Sequence, residues 1–500
     1  MEIRKKLKLL VFGIDGASAG VMRSLMERGD LPAFRALRAR SASGPLQSTF
    51  PPHTAPGWAS MFTGVSPGEH GIFQFWATKT PDYSARAMNV ADYAREPCWL
   101  TLERHGLSVG VYNVPMTHPP APLRDGYMIS WPLARTLHYT SPPELRQELV
   151  AAGLHYHSDI VTMYRGQPDY CEQAQRFIEA RSQTCLYLQR TRPVDALFVV
   201  FTEIDRVSHY YWGDGVEPAS EVEQCYRDVD RALATVLELT DEHTLVVVAS
   251  DHGFGRCDAD FNVHELLAQR RLLATRFIPV DAAGRRPRED TTADSWFEAP
   301  TAYKRVIDWS RTRFYMPTPG CFGLNANLKG REEQGILDEE DLGVAEECLR
   351  AAMASITGED GKPWFEVVRS DTVYSGACLT RAPDYLLIPR DFSVMPTPHL
   401  TEQTWSEPTQ RGVHRPDGIL YLAGAGIPRG VSLFARIEDV APTLLAHLGL
   451  PVPDHLDGHF VVEPPTEVKR ETAHTHRAGR RMSSEESAFM DRQLRQIGYF

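Results

Sequence analysis

Six short runs of apolar and β-branched residues, each closed by polar or turn-forming residues, most limit what this chain can fold into. They are Leu9–Ile14, Ser108–Tyr112, Ala196–Phe201, Thr244–Ala249, Tyr385–Ile388 and Gly418–Ala423. A strand with one wet face alternates apolar and polar side chains. A strand that is apolar at every position is buried on both faces, as in a mostly parallel sheet covered by helices. Helical patterns lie between the runs: Val222, Tyr226, Val229, Leu233 and Val236 recur every three or four residues and paint one helix face. The alternation predicts an α/β fold, a doubly wound and mostly parallel sheet between helices.

The 500 residues exceed one ordinary domain. The alternation breaks at about 135–195, which reads as polar and helical, and again over about 265–400, which contains Gly284-Arg285-Arg286-Pro287-Arg288. The predicted organisation is a core in three pieces, 1–134, 196–265 and 381–463. A helical insertion occupies 135–195 and a cap insertion 266–380. A polar linker and docking helix, the latter carrying Met490, Leu494 and Ile497, fill 464–500.

A net charge of −12 leaves no surplus of cations to neutralise a phosphate backbone, so general nucleic-acid binding is not expected. The eight cysteines are scattered singly, with no C-x-x-C pair, and read as free, mostly buried thiols of a reducing compartment. The N-terminus starts basic, but only six apolar residues precede Asp15, short of a signal-peptide core, and no later stretch approaches the about 18 apolar residues of a membrane span. We expect a cytoplasmic protein with no membrane association; the oligomeric state is not readable.

Acidic and imidazole residues gather where the predicted strands end. Asp15 follows the first strand. Asp205 and His209 follow the strand at 196–201, spaced i and i+4, which sets both on one side of a helical turn. Asp251 and His252 follow the strand at 244–249, and His414 lies just before the last strand. Loops at the carboxyl ends of parallel strands converge on one crevice, so these residues can meet. Three Asp and three His form a mixed oxygen and nitrogen set that suits two ions of Zn, Mn or Fe better than Ca. Singly, each is an ordinary cap or turn residue; together, at three independent strand ends, they read as metal ligands. Thr54, in Pro52-His53-Thr54-Ala55-Pro56-Gly57-Trp58, precedes a proline that suits a first helical turn. A hydroxyl at a helix N-terminus beside a metal is an activated nucleophile; the plain alternative is a capping threonine.

With these residues in place, the chain resembles the type I phosphodiesterase/nucleotide pyrophosphatase family of the alkaline phosphatase superfamily. The resemblance is carried by Gly13-Ile14-Asp15-Gly16, by Thr54 with Pro56, Trp58 and Thr63-Gly64, and by Pro67-Gly68-Glu69-His70-Gly71-Ile72. Asp205 with His209, Ser250-Asp251-His252-Gly253 and Gly412-Val413-His414-Arg415-Pro416-Asp417-Gly418 complete it. It implies that one divalent ion is held by Asp205, His209 and His414, and the other by Asp15, Asp251, His252 and Thr54. Zinc is the usual ion, with Mn compatible. It also implies that Thr54 attacks phosphorus and that water hydrolyses the phospho-threonine. Gly57 stands where many nucleotide pyrophosphatases carry an Asn that donates to a phosphate oxygen. That oxygen is then held by a backbone N–H, or the substrate differs. His53, beside the nucleophile, and Lys329 and Arg331, in the cap, are candidates for contact with a small anionic phosphate-ester substrate. His70 reads as structural.

The expected function is hydrolysis of a phosphodiester or nucleotide pyrophosphate bond. A phosphomonoesterase is the first alternative, favoured by a cationic clamp above Thr54, whereas an apolar groove favours a diester. A phosphomutase and a non-catalytic metal-binding protein are the others; the first would use a serine nucleophile, and the second would have lost a ligand or the nucleophile.

Overall fold

The computed structural model describes residues 5–472 apart from 134, 164–165, 216, 281–301 and 425, together with 483, 485–486 and 488–489. The basic turn at 284–288 and the helix predicted around Met490, Leu494 and Ile497 lie outside the described residues.

A nine-stranded sheet organises the molecule. In chain order its strands are β1 (Leu9–Ile14), β2 (Ala42–Gln47), β3 (Val109–Tyr112), β4 (Gly126–Ile129), β5 (Thr140–Ser141), β6 (Ala196–Phe201), β7 (Leu245–Ala249), β8 (Asp417–Ala423) and β9 (Ala435–Arg436). Across the sheet they run β9-β2-β8-β7-β1-β6-β3-β4-β5. The centre, β7-β1-β6-β3-β4, is parallel, while β8 and β5 run antiparallel to their neighbours.

Two-sided burial explains the uninterrupted apolar runs. Leu10, Phe12 and Ile14 of β1 join one core cluster while Leu9 and Val11 join the cluster on the opposite face; Leu197, Val199 and Phe201 of β6 divide in the same way from Ala196, Phe198 and Val200. The helix predicted around Val222–Val236 spans Ser220–Leu237, and all five of its patterned residues are buried in the first cluster.

One expectation about the sheet is corrected. The strand at Tyr385–Pro389 is apolar enough for the central sheet but belongs to a separate four-stranded antiparallel sheet with Phe314–Tyr315, Gly323–Ala326 and Phe365–Arg369. Helix Glu339–Ala354 covers that sheet and forms a third core with it, so its strand is buried on both faces just as a central strand is. Strand β2 (Ala-Ser-Gly-Pro-Leu-Gln) is not among the apolar runs, because only Ala42 and Leu46 of it are buried. The central sheet holds it through pairing with β8 and β9.

The segment around Gln74, Lys79 and Tyr83 is tied to the connections of the smaller sheet. Gln74 Nε2 donates to Pro319 O at 3.1 Å, Lys79 pairs with Asp384 at 2.8 Å, and the rings of Tyr83 and Trp309 stack at 3.8 Å. All eight cysteines are free, and six of them are buried. Among the described residues no helix is long and apolar enough to cross a membrane.

Candidate active site

Three strands end level with one another, and this gathers the site. β1 pairs with β6 as far as Ile14↔Phe201 and with β7 as far as Gly13↔Ala249, so the residues that follow all three leave the same edge. Asp15 comes first. Gly16 turns behind it at φ +73°, and a Cβ there would lie 2.9 Å from the Phe254 ring and 3.2 Å from Asp205 Cα, so the turn that aims Asp15 requires glycine. Beyond β6, helix Glu203–Tyr211 sets Asp205 and His209 one turn apart on one face. Beyond β7, a bend carries Asp251 and His252 into a short strand, Gly253–Arg256.

His414 reaches the site from Gly412–Arg415, which pairs antiparallel with Gly253–Arg256 and sets His414 opposite Phe254. This ribbon stacks the His414 and His252 rings 3.8 Å apart. The sequence places His414 just before the last core strand; in the fold it has a strand of its own.

Two clusters of ligand atoms result. Asp205, His209 and His414 form one and Asp15, Asp251 and His252 the other, with the ligand atoms of each lying within 4.8 Å of one another. Thr54 Oγ1 joins the second, 3.3 Å from both Asp15 Oδ1 and His252 Nε2. Thr54 opens helix Thr54–Thr63, whose cap is His53 rather than Thr54 itself, and Pro56 lies in the first turn as expected.

The tautomers follow from the second bond of each ring. Nδ1 of His209 donates to Gly412 O at 3.1 Å, Nδ1 of His414 to Pro52 O at 3.0 Å and Nδ1 of His252 to Gly253 O at 3.0 Å. All three Nε2 atoms therefore carry lone pairs. Nε2 of His414 lies 3.1 Å from Asp205 Oδ1 and 3.2 Å from His209 Nε2, and Nε2 of His252 lies 3.4 Å from Asp251 Oδ2. Asp205 Oδ1 and Asp251 Oδ2 are buried and accept no hydrogen bond. Lone pairs and carboxylate oxygens aimed at one another away from water repel, and a cation between them reverses the sign. The residues therefore fit a divalent metal at each cluster.

Burial, then the charges of Asp251 and Asp205, push the Asp15 carboxyl well above its ordinary range, and burial with Asp205 does the same to Asp251. Burial lowers His252 and His414, which keeps their imidazoles neutral and able to ligate.

Several supporting residues were not among the candidate site residues, although Trp58 and Ser250 lie in the motifs that carry the resemblance. Trp58, four residues beyond Thr54 on the same helix, sends Nε1 toward Asp15 Oδ2 at 3.4 Å. Ser250 Oγ accepts from Ala17 N at 2.8 Å and donates to His252 O at 2.6 Å, pinning the β1 and β7 loops together. Arg206 lies 3.2 Å from Asp159, which also accepts from Trp131 Nε1 at 2.8 Å.

The remaining candidates divide. His53 packs 5.9 Å from the His414 ring, and Gly57 faces Asp251, where a Cβ would stand 3.1 Å from that residue's Cβ. Lys329 is exposed and paired with Asp338 at 2.8 Å, and Arg331 is bound to Asp384 and Glu332 at 2.7–2.8 Å. Their charges are committed to the scaffold of the smaller sheet, so the expectation that they meet a substrate phosphate gains no support. His70 is fully buried and hydrogen-bonded through both nitrogens, to Ser60 Oγ at 2.9 Å and Ile72 N at 3.1 Å, a structural role.

The sequence matches the type I phosphodiesterase/nucleotide pyrophosphatase family over residues 9–417, a span that contains every one of these ligands. The chain belongs to that family. It is a hydrolase of phosphoester bonds, and the family acts on small phosphate esters. Among solved structures it is similar to phosphonoacetate hydrolase from Sinorhizobium meliloti 1021 in complex with phosphonoformate, at 16% identity and TM-score 0.55 over 87% of this chain and 94% of that one. It is also similar to human ectonucleotide pyrophosphatase/phosphodiesterase 5, at 12% identity and TM-score 0.56 over 90% and 97%. The murine counterpart, an inactive variant in complex with AMP, gives 12% identity and TM-score 0.54 over 89% and 95%. At these identities the likeness is one of fold. No curated protein matches the sequence.

Proposed function

We propose that the protein hydrolyses a phosphodiester or nucleotide pyrophosphate bond, with Thr54 as nucleophile between two divalent metal ions. The observation that carries this reading is the convergence of three Nε2 lone pairs and three carboxylates around a buried hydroxyl. Asp205, His209 and His414 would hold one ion; Asp15, Asp251 and His252, with Thr54 Oγ1, would hold the other. The mixed nitrogen and oxygen donors suit Zn, with Mn compatible. When bound, such ions supply Lewis-acid stabilisation of charge on the attacking and leaving oxygens.

The chain's own groups do the rest. Asp15 Oδ1 accepts the Thr54 hydroxyl and fixes its rotamer, and Trp58 steadies the other oxygen of Asp15. Helix Thr54–Thr63 places Oγ1 at its first residue, where the dipole favours negative charge. The oxygen of Thr54 bonds to phosphorus as the ester oxygen departs, and water then cleaves the phospho-threonine. A diester is favoured over a monoester because the basic residues of the smaller sheet, Lys329 and Arg331, are already paired. The rings of Phe50, Phe322 and Phe392 meanwhile lie 5.9–6.4 Å apart just before the nucleophile turn.

Thr54→Ala should lose turnover of bis-p-nitrophenyl phosphate while retaining two metal ions per chain by elemental analysis. Full activity in that variant would remove Thr54 from the chemistry. Faster turnover of p-nitrophenyl phosphate than of the diester would favour the monoesterase.

A further inference from the structure

The first turn of the nucleophile helix has few donors left for a substrate. Ala55 N–H is bound by the His53 side chain at 3.1 Å, position 56 is proline, and Gly57 N–H closes the first helical bond to His53 O at 2.9 Å. Gly57 brings no side chain, and Asp251 fills the space one would occupy. Beyond the Thr54 N–H itself, a phosphoryl group on Thr54 therefore takes a further donor from another direction.

His53 is placed to supply it. Because Nδ1 accepts the Ala55 N–H, the ring proton resides on Nε2. Phe75 packs edge-on against the ring at 4.9 Å, and the His414 ring lies 5.9 Å away, so the imidazole is fixed beside the Asp205, His209 and His414 cluster. It is half-buried and hence reachable from the crevice.

We propose that His53 Nε2–H is a fixed hydrogen-bond donor to a non-bridging oxygen of the substrate's phosphoryl group. This rests on the reading of Thr54 as nucleophile. The same geometry denies His53 a proton-transfer role: Nδ1 cannot take up a proton without breaking the helix cap, and a neutral ring that gave up its Nε2 proton would be left as an imidazolate. It touches substrate and moves no proton, and its contribution grows as charge accumulates on the phosphoryl oxygens.

Two substitutions separate the cap from the donor. His53→Asn keeps a short capping acceptor for Ala55 N–H but falls short of the Nε2 position. His53→Gln reaches that position with an N–H but gives up the short cap. With bis-p-nitrophenyl phosphate and Zn-loaded protein, His53→Asn should lose about 10²–10³ in kcat/KM, the loss expected for one such donor. Its pH profile should keep its shape, and its metal-free melting temperature should stay within a degree of wild type. Vanadate, which mimics the five-coordinate phosphoryl group, should bind it at least tenfold more weakly. His53→Gln should recover tenfold or more of the lost kcat/KM while melting several degrees lower.

A His53→Asn protein within threefold of wild type, beside an inactive Thr54→Ala, overturns the donor role alone. An active Thr54→Ala overturns the nucleophile reading beneath it. Loss of a limb of the pH profile in His53→Asn would make the residue a proton carrier and refute the proposal. If His53→Asn does not fold, His53→Gln decides: unchanged vanadate affinity together with turnover at or below a thousandth of wild type contradicts a donor at Nε2.

Discussion

Arg181 and Glu203 make a buried ion pair directly behind the cluster of Asp205, His209 and His414, and breaking it tests how the site is held. Arg181, on helix Tyr170–Thr191, is 2% exposed and Glu203 is fully buried; Nη1 lies 2.7 Å from both carboxylate oxygens. Glu203 opens the helix that carries Asp205 and His209. Two charges about 4 Å apart attract by about 4 kcal/mol at an effective dielectric near 20. Desolvation costs several kcal/mol per ion, so the intact pair contributes little net stability. Removing one partner is different, because the other charge stays buried and alone, at a cost of about 3–5 kcal/mol. Glu203→Gln and Arg181→Met should each destabilise by that amount in urea unfolding of EDTA-treated protein, where metal binding adds nothing to the balance. The double variant should lie within about 1 kcal/mol of wild type, a coupling of several kcal/mol between residues in contact. Zinc affinity at the first cluster should fall about 10–100-fold in the single variants, the usual cost of disturbing the groups behind metal ligands. Single variants costing under about 1 kcal/mol, or a double variant costing the sum of the two, would refute the reasoning.

Three further outcomes are expected. Gly57→Ala places a Cβ 3.1 Å from Asp251 Cβ and 3.4 Å from its Oδ2, so it should weaken the second metal ion and turnover at subsaturating zinc, with the circular-dichroism spectrum unchanged. Burial lowers His70 from 6.5 to about 3, so the unfolded chain binds its proton first as pH falls. Stability should therefore be full above about pH 6.5 and fall toward pH 3 with a slope of up to about 1.4 kcal/mol per pH unit, a slope reduced by one proton in His70→Gln. Zinc at 100 times its dissociation constant should raise stability by about 2.7 kcal/mol per site over the EDTA-treated protein; equal melting temperatures with and without zinc would speak against metal at these clusters.

The central strands were legible because their physics is local. Every residue of β1, β6 and β7 is buried, so the run is apolar throughout, and the next polar residue marks where the strand ends and the site begins. Asp205 and His209 were legible as a pair because a helix fixes i and i+4 on one face. Composition alone puts Tyr385–Pro389 in the wrong sheet, because a strand covered by helix Glu339–Ala354 has the same composition as one in the central sheet. The sequence pattern also could not separate Lys329 and Arg331 from substrate contacts, since an ion pair with Asp338, or with Asp384 some fifty residues away, leaves no local trace.

By itself, then, the sequence determined the fold class, the family and the residues that meet in the two candidate metal clusters, because burial on both faces and helical spacing are written in neighbouring positions. Tertiary structure decided the rest. The level register of β1, β6 and β7 brings Asp15, Asp205 and Asp251 to one edge, and the ribbon of Gly253–Arg256 with Gly412–Arg415 stacks His252 on His414. Three backbone carbonyls fix which nitrogen of each imidazole is left to ligate, and the Ala55 N–H fixes which nitrogen of His53 is left to donate. A tautomer depends on what lies at the other side of the ring, and that neighbour is supplied by folding rather than by the order of residues.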